Sequence, residues 1–165
     1  MASKVCCGFI GVVVLVVSGC RQPDGPVPTP TATVQEELVD VTRDLQYIAG
    51  KRDPQAPKDL ADDLRKYAPR PSARPAVDAL SRLTAAAVAD SQLTEQAAQR
   101  LTHNLWVSMA ARDMSERQVE SLQNDTQFLL VSVGVAEARA QEVAVQVGEV
   151  QRAVTDRPRR WYELF

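Results

Sequence analysis

The stretch "FLLVSVGVAEARAQEVAVQVGEV", Phe128 to Val150, admits two readings, and the choice between them decides the fold. Leu129, Val131, Val133 and Val135 alternate with other residues, as do Val143, Val145 and Val147, which is the pattern of half-buried strands. A wider window points the other way. Val119, Leu122, Thr126, Leu129, Val133, Ala136, Ala140, Val143, Val147, Val150 and Val154 recur at steps of three or four, with only Thr126 polar. The link "AEARAQE" is rich in strong helix formers and contains no turn residue. Helix wins, and the fold class expected is all-α. Gly134 is the point where this long stripe can divide, as a residue just past a helix end with Val135 as its apolar partner.

Working towards the N-terminus, "MSERQ" places Ser115 and Gln118 in capping-box register ahead of Val119 and Leu122. A helix over Thr94–Arg112 carries Ala97, Leu101, Leu105 and Met109 at i+4 spacing. Before it, Pro75 suits the first turn of a helix bearing Val77, Leu80, Leu83, Ala87 and Val88. Within that helix Ala85, Ala86 and Ala87 allow close approach to a neighbour. Pro69, Pro71 and Pro75 end a shorter helix that starts near Pro57, with Leu60, Leu64 and Tyr67 inward. The first helix follows a capping box at Thr33 and Glu36 and carries Val34, Leu38, Val41, Leu45 and Ile48, with Gly50 as its stop. Its opposite face is charged, so it must dock on neighbours. The sum is a small bundle of five or six helices over residues 34–165.

The last ten residues differ from the rest. "DRPRRWYELF" follows a helix stop at Pro158 and gathers Arg159 and Arg160 beside Trp161, Tyr162 and Phe165. Two roles fit: an apolar end that folds back to close the core, or a docking peptide for a partner or a membrane interface.

The other end supplies an address. Lys4 precedes an apolar run, Phe9 to Val17, far too short to cross the roughly 30 Å of a bilayer as a helix. A positive residue, a short apolar run and small residues at its end make a secretory signal peptide, residues 1–19. Val17-Ser18-Gly19-Cys20 resembles the lipobox of bacterial lipoproteins. The resemblance implies cleavage between Gly19 and Cys20 and fatty acylation of Cys20, with diacylglycerol on sulfur and a further acyl chain such as palmitate on the new N-terminus. Arg21, where inner-membrane retention uses Asp, implies the periplasmic face of an outer membrane in a two-membraned host. Several acyl chains, each methylene adding about 0.8 kcal/mol, exceed what stable anchoring needs. Cys6 and Cys7 fall in the leader, so the mature chain has no cysteine left for a disulfide. Residues 20–33 then form a tether in which Pro23, Pro26, Pro28 and Pro30 bar regular structure.

Catalytic chemistry finds few carriers. His103 is the one histidine, no glycine-rich phosphate loop or Gly-x-Ser-x-Gly elbow occurs, and neither a metal nor a cofactor is expected. Asp59, Asp62 and Asp63 read as the solvated face of a short helix. Net charge is −2, and −3 once Lys4 leaves with the leader, which argues against a nucleic-acid partner. Met114-Ser115-Glu116-Arg117-Gln118, with Leu93-Thr94-Glu95-Gln96 as a partial second copy, resembles the LTxxQ motif of Spy- and CpxP-like periplasmic proteins. That resemblance implies a helical chaperone or stress sensor; a capped helix start has the same residues. The function expected is a non-enzymatic binding or scaffolding module at the bacterial cell envelope, held to the membrane by its N-terminal lipid and meeting an envelope protein.

Overall fold

The valine-rich segment is helical and broken once. A computed structural model describes residues 26–155 and contains six α-helices: α1 (Ala32–Ala49), α2 (Ala56–Lys66), α3 (Arg74–Val88), α4 (Glu95–Ala110), α5 (Glu116–Ser132) and α6 (Glu137–Thr155). A 3-10 turn at Pro71–Ala73 leads into α3, and no strand occurs among the described residues. The all-α bundle is thus observed. The leader, Gly19, Cys20 and the tail residues Arg159, Arg160, Trp161, Tyr162 and Phe165 lie outside the described residues.

The break between α5 and α6 is a full Schellman closure. Val133 caps α5; the Gly134 N–H donates to the Val131 carbonyl and the Val135 N–H to the Leu130 carbonyl, both at 3.0 Å. Gly134 takes φ +91, open to glycine and strained for other residues. Val135 and Leu130 are both buried in the main core, which supplies the apolar contact of the motif. Thr126, the polar member of the stripe, is fully buried; its hydroxyl donates to the Leu122 carbonyl at 2.8 Å and accepts from Asn104 Nδ2 at 3.2 Å.

Side-chain caps start α1, α4 and α5, whereas α2 and α3 open on a proline in their first turn with no side-chain cap. Ser115 and Gln118 close the reciprocal box on α5, and Thr94 accepts from the Ala97 N–H to start α4. Two boundaries differ from the sequence reading. The cap of α1 is Thr31, accepting from the Val34 N–H, rather than Thr33. Nothing between Pro30 and Val34 opposes helix, so α1 extends back to the residue beside the last proline. α4 stops at Ala110 rather than Arg112, because Ala111 turns extended and its carbonyl accepts from Gln151 Nε2 at 2.6 Å.

Successive helices run antiparallel. Thr42 bonds Thr102 at 3.0 Å and Leu38 packs on Trp106 and Val107, so the start of α1 meets the end of α4. Tyr67 donates to Glu37 at 3.1 Å, bringing the end of α2 to the same place. Gln151 reaches Ala111 and Arg112 reaches the Val154 carbonyl, so α6 ends there too. At the opposite pole Lys51 pairs with Asp90 at 2.7 Å, and the Gln92 N–H donates to the Val133 carbonyl at 2.9 Å. Between the poles α1 packs on α2 and α4, α2 on α3, and α3 on α6, with α5 against α4 and α6. Leu45, Leu60, Leu80, Leu101, Leu105, Met109 and Val147 fill the space enclosed.

Candidate functional site

Six helices in up-and-down order return the chain to the pole it left. Ala32 and Thr155 lie at that pole, the terminal pole, and the α3–α4 connection and α5–α6 turn form the far pole. The far pole carries a cleft of about 750 Å³. Its walls are Gln92, Thr94 and Gln96 on one side and Val131, Ser132 and Gly134 on the other, over Ala97 and Leu129. The Gln92–Val133 bond ties the two walls together. Gly134 has open space where a side chain would stand, because its backbone closes the preceding helix and needs none.

The charges at its rim are already matched. Asp90 is held below the ordinary carboxylate range by its hydrogen bond and attraction to Lys51. Arg100 binds Asp125. Burial alone would raise the Asp125 carboxyl, but bonds from Asn104 and Arg100 hold it low. What the cleft offers is therefore amides and hydroxyls over an aliphatic floor, suited to holding an uncharged hydrogen-bonding surface rather than to proton transfer. Phe128, one turn before Val131 on α5, is 70 % exposed.

A second concentration of polar groups lies at the α1–α2 contact. Asp44 is 7 % exposed and its Oδ2 is buried with no hydrogen-bond partner. Burial first, then the negative charges of Asp63 and Asp59 from α2, push its carboxyl up to about 6, against a smaller opposing pull from Arg43. The sequence reading passed over Asp44, although it stands only about 40° round the helix from Ile48, at the edge of the apolar stripe. Asp62 pairs with Arg65 at 2.7 Å on the solvated face, whereas Asp63, only 18 % exposed, pairs with Lys66 at 2.6 Å and also faces Asp44. Among the described residues no three side chains are placed to share a metal ion.

His103 is exposed, its ring 6.1 Å from that of buried Trp106. The two LTxxQ-like segments are the caps of α4 and α5, at opposite poles. At the terminal pole a groove of about 400 Å³ lies between Pro69, Arg70, Arg112, Asp113, Val154 and Thr155, beside the last described residues. No helix of the described residues is long and apolar enough to cross a membrane. Comparison of the chain with protein families, with characterised proteins and with solved structures finds no match.

Proposed function

We propose that this chain is a lipid-anchored, non-enzymatic binding or scaffolding module of a bacterial cell envelope, with Cys20 as the acylated residue. The observation that carries the reading is the division of labour between the poles. Both ends of the helical body leave from one pole, and the cleft of about 750 Å³ opens at the other. A body tethered through residues 20–30, ahead of the α1 cap at Thr31, presents the far pole to whatever it meets. At about 3.1 Å per residue the tether reaches roughly 35 Å, enough to clear lipid headgroups. Arg159, Arg160, Trp161, Tyr162 and Phe165 would act at the tethered end, as a contact for a partner or for the bilayer.

Site-specific photo-crosslinking in intact cells tests the division. A crosslinker at Gln96 or Ser132 should give a discrete protein adduct, and one at Lys58 on α2 should not. Equal labelling at all three positions, or none at the cleft, would remove the cleft from the proposal. The anchor is tested separately: Cys20→Ser should leave a larger, non-acylated precursor, and unchanged mobility with membrane retention would refute acylation.

A second reading, a chaperone or stress sensor that cradles unfolded polypeptide, is supported by Phe128 and Val131 standing exposed on one face of α5. Strong binding of a surface-hydrophobicity dye by the folded protein, lost in Phe128→Ser, would favour it.

A further inference from the structure

We propose that Asp44 is a proton-binding site that couples the packing of α1 on α2 to the acidity around the domain. The proposal stands on placement and is independent of acylation. Asp44 is more than nine-tenths buried, between Val41, Leu45 and Ile48, with an oxygen that no donor reaches. A buried carboxylate without a partner must either find a cation or take up a proton.

The neighbours offer no cation close enough to serve. From α1 the groups facing it are Asp40 and Arg43, and Arg43 is already bound to Asp40. From α2 they are Asp59 and Asp63, and Asp63 is held by Lys66. The other helices against α1 carry Arg74, Asp78 and Arg82 on α3 and Glu95, Arg100 and His103 on α4. All of these are exposed except Asp78, which Arg65 holds at 2.6 Å. No trio of side chains converges on a metal ion among the described residues. The cation that fits is therefore a proton, which turns Oδ2 from an unpaired charge into a neutral hydroxyl.

The sign follows from linkage. The folded chain holds the Asp44 proton up to about pH 6, whereas the unfolded chain releases it near the ordinary 3.8. Above both values Asp44 is charged in either state, and its burial weakens the fold. Between them only the folded chain binds the proton, so acidification favours folding, by up to about tenfold in the folded-to-unfolded ratio per pH unit. Below the lower value the gain is complete.

The test uses the full chain with carbon-13 label in its aspartate carboxyls. Asp44 should titrate with a midpoint near 6, and Asp63→Asn should move that midpoint down towards the ordinary value. Thermal unfolding at pH 7.5 and at pH 5 should show a rise in Tm on acidification that Asp44→Asn removes. A midpoint at or below the ordinary carboxylate value, or an acid-side gain that survives in Asp44→Asn, would overturn the proposal. If Asp44→Asn fails to fold, the wild-type midpoint and its response to Asp63→Asn decide.

Discussion

Gly134 and Gly148 show how differently one residue type can be constrained. Gly134 needs its missing side chain for conformation: at φ +91 an alanine is strained although nothing lies within 4 Å of its added carbon. Gly134→Ala should lower stability by roughly 1–2 kcal/mol in denaturant unfolding. Gly148 is ordinary helix, but a methyl there would come within 2.5 Å of Gln123 Nε2, which donates to the Ala144 carbonyl. Gly148→Ala gains helix propensity of about 1 kcal/mol and disturbs a bond of similar worth, so its net effect should be within about 1 kcal/mol of zero. Asp125 makes an acid-side counterpart to Asp44. Its carboxyl is held low by Asn104 and Arg100 against its own burial, so its contribution is present above the ordinary value and lost as pH falls through the lowered one. Asp125→Asn should cost about 1 kcal/mol at neutral pH, and the difference from wild type should shrink as pH falls below the ordinary carboxylate value. Flat behaviour across that range would show the pair to be inert.

At the scale of elements, most of the helices were legible. Ser115 and Gln118 form both bonds of the capping box that their spacing announced, and Thr94 caps α4 as its register required. Ser115→Ala should cost about 1 kcal/mol, measured by urea unfolding. The three-four stripe of α6 is buried along its length, with Ala140, Val143, Val147, Val150 and Val154 at most 1 % exposed. Val143→Asp should therefore destabilise by several kcal/mol, read from the same transition, because it leaves an unpaired charge in the core. Ala136, which belongs to the same periodicity, is exposed, because the stripe is interrupted there by the turn after Gly134. Periodicity carries across such a break in sequence, although the two helices that share it run in opposite directions. The start of α1 was misplaced for a similar reason: Thr31 and Thr33 both offer a capping hydroxyl, and only the extent of the helix chooses between them.

At the scale of the whole molecule, an even number of antiparallel helices brings both ends of the body to one pole. Spin labels at Thr33 and Arg112 should be much closer than labels at Thr33 and Ser132, which stand about 25 Å apart along the helices by helix rise. Similar distances in electron–electron resonance would refute the antiparallel order. Amino-acid order by itself determined that this chain is helical, where α5 caps and where the long stripe breaks at Gly134, and which stripes must be buried. Those properties arise within a dozen or so neighbouring residues, where the spacing of apolar side chains and the chemistry of caps decide the outcome. Only the tertiary structure decided which stripes face one another, and so which pole holds the cleft and which the two ends. It also decided that Asp44 is enclosed with Asp59 and Asp63 close by. That pairing joins residues fifteen and nineteen positions apart on two helices, and no local pattern encodes the angle at which α2 settles on α1.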